Sequence, residues 1–276
     1  MADYLQDLDL AELFHENSKI LPYVRRNKKG AEINSHPLIL QLMSIQPKQY
    51  SNLVHVDLPA AGHKDMIPRV SLEKAIRQRQ STRRFSKHPL SIRKLSTLLY
   101  FSSAVLTVDT IDANYKLYHR AVPTSGGLNS VELYALALNI KDLKQGVYHY
   151  DSLNHRLELL RDGDFRTLVS RKLLFQSEFS NAAVILIVTS WFSKLKFKYG
   201  ERGYRYAFLD AGHVGAHIYL LASALNLACC GICGFFDDEV NSLIGINSLD
   251  ESAVYLLALG KNPISQKFSA QKMEDG

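Results

Sequence analysis

Cysteine is scarce and confined in this chain of 276 residues: there are three, at positions 229, 230 and 233. Three clustered thiols cannot build a disulfide framework, and Cys230-Gly-Ile-Cys233 lacks the second CxxC or His-x₃₋₅-His pair that would complete a zinc site. They read as small apolar residues in a core. Charge is missing altogether from residues 211–236. A membrane span needs ~20 apolar residues, but Ser223, Asn226, Gly231, Gly234 and the flanking His213 and His217 give the texture of a buried helix breaking into a buried strand. No membrane association is therefore expected. The first residues, MADYLQDLDLAELFHENSK, carry acids where a signal peptide needs cations, so a cytoplasmic location is expected. GxGxxG after a strand, GxxxxGK[ST], HExxH and GxSxG are all absent, which counts against Rossmann dinucleotide, P-loop, zincin and α/β-hydrolase chemistry. His213 and His217 share a helix face with Asp210 one turn earlier, an arrangement that matches no metal motif, and no metal is expected.

What is present describes a globular protein. Hydrophobic residues make up 46% and charged residues 22%, and a chain of this length buries roughly three quarters of its unfolded surface. The net charge of +6 is scattered, densest at 25–29 and 194–198, and does not resemble a nucleic-acid module. Residues 1–65 read as a helical N-terminal extension, with an amphipathic segment at 8–14 and a broken apolar stretch at 37–45. Ala60, Ala61, Gly62 and Pro68 mark a loop before the main domain, 66–276. Ser71 and Ser91 cap predicted helices. Residues 131–140, 146–150 and 155–160 read as strands, the last two a hairpin turned by residues 151–154. Residues 182–190 suit a central strand buried on both faces. A long helix over 205–227, a strand at 229–236, a short helix at 238–243 and a strand at 253–260 complete the order. Helices and strands mix without strict alternation, so the fold is expected to be α+β.

Three clusters carry chemistry. Arg79-Gln80-Ser81-Thr82-Arg83 places two guanidinium groups and a hydroxyl at a helix end, a donor set suited to phosphate, although on spacing alone a plain charged helix end is the commoner reading. Pro123, Thr124, Ser125, Gly126 and Gly127 form a loop before a strand, where glycines admit a flat ligand or simply make a turn. In Lys198-Tyr199-Gly-Glu-Arg202-Gly-Tyr204-Arg205-Tyr206, a lysine lies beside a tyrosine, and burial would bring the amine toward neutrality. A helix already begun at Tyr199 would align Tyr199, Arg202, Tyr206 and Leu209; an exposed helix start is the alternative.

In this order and spacing the clusters resemble the nitroreductase-like flavoproteins, and within them the SagB-type azoline dehydrogenase branch, over residues 71–263. Residues 79–85 match R-x-S-x-R-x-[FY], PTSGGLNSVELY matches P-S-x-G-x-x-x-P-[VL]-E-[LV]-Y, GVYHYDSLNHRLELL matches the branch's hairpin, and KYGERGYRY matches K-Y-x-x-R-[GA]-Y-R-[YM]. Thr124, Ser130 and Asn226-Leu227 depart from the usual residues. The resemblance implies a nitroreductase-type fold, a mixed sheet flanked by helices, with one FMN per subunit and pairing of subunits around it. Arg79, Ser81 and Arg83 would hold the phosphate and ribityl chain with Gln80 beside them. Pro123, Thr124, Ser125 and Gly126 would line the isoalloxazine, Gly231 and Gly234 would pass close to it, and Lys261 is a further phosphate candidate. It also implies oxidation of thiazolines or oxazolines in a ribosomally made peptide, with Lys198 or Tyr199 as base and a cyclodehydratase as partner. The alternatives are an NAD(P)H-dependent nitro or quinone reductase and a flavin-containing scaffold subunit without catalysis.

Overall fold

The computed structural model describes residues 9–21, 36–61, 70–111 and 113–263; Gly62 and Pro68 of the expected loop, and the cationic stretch at 25–29, lie outside them. Local chemistry starts the helices. Asp9 accepts from the amides of Ala11 and Glu12 to cap α1 (Leu10–Asn17), and Pro37 opens α2 (Pro37–Met43). Ser71 accepts from the Lys74 amide to cap α3 (Leu72–Gln78), and Ser91 from that of Lys94 to cap α4 (Ile92–Ser103), as expected. Each side-chain oxygen satisfies an amide that the first helical turn leaves without a partner.

The strands are β1 (His55–Asp57), β2 (Leu90–Ser91), β3 (Val105–Thr110), β4 (Lys116–Arg120), β5 (Val131–Ala137), β6 (Ile140–Lys141), β7 (Gly146–Asp151), β8 (Arg156–Asp162), β9 (Val184–Trp191), β10 (Leu227–Ile232) and β11 (Glu251–Lys261). Seven of them form one sheet in the order β1-β8-β7-β5-β9-β11-β10. The expected hairpin is β7–β8, turned by Asp151, whose Oδ1 accepts from the amides of Leu153 and Asn154. The sheet anticipated as mixed is antiparallel at every pairing. β9 and β10 do run in the same direction across a helical crossover, but β11 inserts between them and pairs antiparallel with both. β1 falls within the 1–65 stretch expected to be helical, but it is a strand and adds the sheet edge beside β8.

Both sheet faces are covered, which explains the unbroken apolar run of β9. Leu133 and Ala135 of β5 face Leu95 and Leu98 of α4 and Val214 and Ile218 of α6 (Gly203–Ala224). Tyr134 and Leu136 face the opposite core, with Val240 and Leu243 of α7 (Asp237–Ile244). α5 (Phe192–Tyr199) precedes α6, and Gly200, at φ +59°, separates them. The single stripe from Tyr199 to Leu209 therefore does not form, because the helix ends at Tyr199 and restarts at Gly203. Gly203 permits the close crossing: a Cβ there would lie 2.6 Å from the Leu195 carbonyl.

The uncharged stretch divides near the expected point. α6 ends at Ala224, Asn226 turns the chain at φ +53°, and β10 begins at Leu227. Within the chain α6 is not packed on every side. Phe208, Leu209, Gly212, His213 and Ala216 form an exposed stripe that is mostly apolar. Among the described residues no helix is long and apolar enough to cross a membrane.

Candidate active site

The loop at 123–129 is wound tightly by three left-handed residues, Gly126 (φ +59°), Gly127 (φ +74°) and Asn129 (φ +49°). It meets the end of α5. Lys198 Nζ donates to the Gly126 carbonyl at 3.1 Å, lies 3.9 Å from Met43 Sδ of α2, and sits 5.5 Å from the centroid of the Tyr199 ring. The φ of Gly126 favours glycine, and a Cβ there would displace the Tyr199 hydroxyl and Lys198 Nζ from their present places. Burial holds the Lys198 amine below the ordinary lysine value. Burial, then Tyr206 and Asp210, push the Tyr199 phenol above its own. The pair is thus an amine biased toward its neutral form beside a phenol biased toward keeping its proton.

The neighbouring residues of this cluster have a structural task. Arg202 Nη1 donates to the Ser18 carbonyl at 3.1 Å, and Arg205 Nε to Ser18 Oγ at 2.8 Å. Arg205 Nη2 also reaches the His15 carbonyl at 2.5 Å. The two guanidinium groups hold the C-terminal end of α1, where orphan carbonyls favour cations. Arg202 Nε also reaches the Tyr206 hydroxyl at 3.3 Å, and the Tyr206 ring meets Tyr199 edge-on at 4.8 Å.

The second group lies along α6. After α3 the chain turns extended at Arg79, and a groove of about 660 Å³ is lined by Arg79, Ser81, Gly212, Gly215, Tyr219 and Tyr255 among others. Ser81 Oγ and the Tyr219 hydroxyl are 3.1 Å apart, that hydroxyl accepts from the Gly231 amide at 2.5 Å, and the Arg79 guanidinium stands 5.5 Å from the Tyr219 ring centroid. Gln80 instead lines an adjoining cavity of about 310 Å³ with Lys74 and Asn226, and Arg83 a third of about 420 Å³ with Arg84, Lys87 and Arg166. The space a Cβ on Gly231 would need is taken by the Tyr255 hydroxyl, 2.0 Å away, and that at Gly234 by the Phe175 ring at 3.0 Å. Lys261 ends β11, where its carbonyl accepts from the Ser86 amide. The structure thus joins Lys198, Tyr199 and the glycine loop, and separately joins Arg79, Ser81 and Gly231; the groove of the second group contains no member of the first.

Two buried polar assemblies escaped the sequence reading. Asp210 of α6 accepts from the amide and hydroxyl of Ser125 and from the hydroxyls of Thr124 and Ser130. Beneath β5, Glu132 pairs with Arg120 at 3.0 Å and faces His149, which bonds Glu158 at 2.9 Å. Burial alone would raise the Glu132 carboxyl, but Arg120 and then His149 overcome it and hold it at about 2. Alongside, Glu251 takes hydrogen bonds from Thr189 at 2.6 Å and Tyr134 at 3.2 Å and an ion pair from Lys48. The signal available was Glu132 standing inside the apolar strand VELY, a position that a carboxylate occupies only when paired.

The thiols are free; Cys229 and Cys230 are buried as expected, and burial pushes the Cys230 thiol up, away from the reactive thiolate, whereas Cys233 lies beyond the end of β10 and is exposed, not a core residue. Among the described residues no three His, Cys, Asp or Glu side chains gather as metal ligands.

A sheet covered on both faces by helices, with Arg79 and Ser81 on a groove along α6 and a lysine–tyrosine pair on a glycine loop, defines an α+β protein with two separate candidate sites. Residues 76–261 match the model of the nitroreductase family, and the chain belongs to that family of oxidoreductases. A protein of Methanocaldococcus jannaschii named as a nitroreductase is 27% identical over 195 residues, 71% of this chain and 93% of that one. The trifolitoxin-processing protein TfxB of Rhizobium leguminosarum is 26% identical over 170 residues, 60% of this chain and 46% of TfxB. Among solved structures, one of an Anabaena variabilis protein named as a nitroreductase superposes with a TM-score of 0.66 at 26% identity, covering 91% of this chain and 47% of that one. A chain of the Escherichia coli microcin synthetase McbBCD complex shares the fold at a TM-score of 0.57 and 20% identity, over 95% and 97% of the two chains. The chain spans about half the length of TfxB and of the Anabaena protein.

Proposed function

We propose that this chain is an FMN-dependent azoline dehydrogenase, oxidising thiazoline or oxazoline rings of a ribosomally made peptide to thiazole or oxazole beside a cyclodehydratase. The carrying observation is the Lys198 amine, which donates to the Gly126 carbonyl beside Tyr199. Support comes from TfxB and TfxC, relatives named for trifolitoxin processing and its operon, and from the fold shared with a chain of a peptide-bound microcin synthetase.

Of the residues expected to hold FMN, Arg79 and Ser81 line one groove, and their donors suit its phosphate and ribityl chain. A groove of about 660 Å³ is within the ~300–1,000 Å³ of small-molecule sites. Arg79 offers a fork for phosphate and Ser81 a hydroxyl, and the apolar rings of Phe208, Tyr219 and Tyr255 line the same groove. Gln80, Arg83 and Lys261 lie outside this groove, so their part rests on the resemblance alone. The loop of Pro123, Thr124, Ser125 and Gly126 lies outside it too. Pairing of two copies, or of this chain with a synthetase subunit, through the exposed stripe of α6 is the arrangement that would complete the site.

FMN, held by Arg79 and Ser81, would supply the acceptor for a hydride from the substrate ring. Lys198, as the neutral amine, takes the proton from the ring carbon next to the carbonyl; the hydride leaves the adjacent carbon, and the new carbon–carbon double bond completes the aromatic ring. Tyr199, held protonated, serves as a hydrogen-bond donor. General-base assistance contributes ~10²–10⁴-fold. Lys198→Ala, with FMN retained, is therefore expected to lose azole formation by about that factor. The readout is mass spectrometry of an azoline-bearing peptide, which loses about two daltons per ring oxidised. Native turnover in this variant would overturn the assignment.

The name of the Methanocaldococcus jannaschii relative favours a second reading, an NAD(P)H-dependent nitro or quinone reductase. Consumption of NADPH with a nitroaromatic, without azoline turnover, would select it.

A further inference from the structure

Asp210 is a buried carboxylate that the proposed chemistry leaves unused. It is 2% exposed on α6, and among the described residues its hydrogen bonds come from one short segment, Thr124 to Ser130. The Ser125 amide reaches its two oxygens at 3.1 and 3.0 Å, the Ser125 hydroxyl at 2.7 Å, the Thr124 hydroxyl at 3.3 Å and the Ser130 hydroxyl at 3.4 Å. The Thr124 hydroxyl in turn accepts from the Asn129 amide at 3.1 Å, closing the turn on itself. A carboxylate offers about four lone-pair sites and no donor, so it can accept all of these at once; an amide in its place would turn an N–H₂ toward donors.

The segment so gripped contains three left-handed residues and is a poor candidate for holding its own shape. One peptide unit beyond Ser125, the Gly126 carbonyl accepts from Lys198. Asp210 and the loop are some 85 residues apart in sequence, so this grip exists only in the fold. We infer that Asp210 is the positioning residue for Lys198: it fixes the 124–126 backbone so that the Gly126 carbonyl sets the place of the Lys198 amine beside Tyr199. The inference rests on the reading of Lys198 as the base. A mere staple between loop and helix would stabilise the protein without being coupled to Lys198.

The test is a double-mutant cycle on the full chain with FMN and an azoline-bearing peptide, using Asp210→Asn, Lys198→Ala and the two combined. Asp210→Asn is expected to lower kcat ~10–100-fold with KM within about threefold and FMN retained, the pattern of a lost transition-state arrangement. In the Lys198→Ala background it is expected to cost less than about threefold, since coupled residues are not additive. A readout independent of turnover is amide hydrogen exchange: Ser125 to Gly127 exchange at least about tenfold faster in Asp210→Asn while the centre of α6 does not change. Should Asp210→Asn fold poorly, Ser125→Ala removes the 2.7 Å bond alone and enters the same cycle with a smaller loss. Additive losses in the combined variant, or native kcat in Asp210→Asn while Lys198→Ala is inactive, overturn the role of Asp210 only. Native turnover in Lys198→Ala overturns the dehydrogenase reading and the role of Asp210 within it.

Discussion

Lys194, one turn before Lys198 on α5, is 3% exposed, and its ammonium stands 4.2 Å from the Trp191 ring centroid with no carboxylate within ion-pair reach among the described residues. Burial lowers its amine from the ordinary 10.5 to about 8, although Glu132 pulls the other way. The folded pKa is the depressed one, so the unfolded chain binds more protons between about 8 and 10.5, and stability rises with pH through that window. At neutral pH the buried ammonium costs about 3 kcal/mol on this account. Lys194→Met is expected to raise stability at pH 7 by about 1–3 kcal/mol, with most of the gain gone by pH 10, measured by denaturant unfolding at both. A loss at pH 7 would mean that attraction to Trp191 and Glu132 outweighs burial. Such residues show the limits of reading one residue at a time. Lys194 looks like part of a solvated cationic run in sequence, and Asp210 like a stray acid near two histidines. Arg79, Ser81, Gly126, Lys198 and Tyr199 stand out as candidates because their types and spacing fall within short motifs; the partners that define Lys194 and Asp210 do not.

At the scale of elements, short-range chemistry was legible and crossings were not. Ser71, Ser91 and the Asp151 turn act on amides two or three residues away, so the sequence displays both partners. The two-sided burial of β9 is likewise visible in its apolar run. The break between α5 and α6 depends on Gly200 and the close approach at Gly203, which two tyrosine-rich segments do not announce. Gly203→Ala sets a methyl 2.6 Å from the Leu195 carbonyl and 2.8 Å from the Lys196 amide, where backbone cannot rotate away. It is expected to cost about 1–3 kcal/mol by overpacking, seen as a lower thermal midpoint. An unchanged midpoint would show that α5 can slide along α6.

For the molecule as a whole, the decisive surface is the outer face of α6. Phe208 and Leu209 are 46% and 58% exposed and continue into the groove that holds Arg79 and Ser81. Apolar patches of this kind mark interaction sites. If the proposed pairing of copies completes the flavin site, Leu209→Asp yields a monomer in sedimentation velocity and weakens FMN retention at least about tenfold. A variant that remains dimeric, or binds FMN as before, would move the interface elsewhere. Residue order alone was enough for the α+β class, the main strands and helix starts, and the choice of candidate clusters, because each depends on residue type, a period of two or nearly four, or partners within one turn. The tertiary structure alone decided that β11 splits β9 from β10 and that Asp210 grips a loop far away in the chain. It also decided that Glu132 lies between Arg120 and His149, and that the groove of Arg79 and Ser81 and the lysine–tyrosine pair stand apart within one chain. Those outcomes depend on which distant segments the sheet order brings together, and no local pattern encodes that choice.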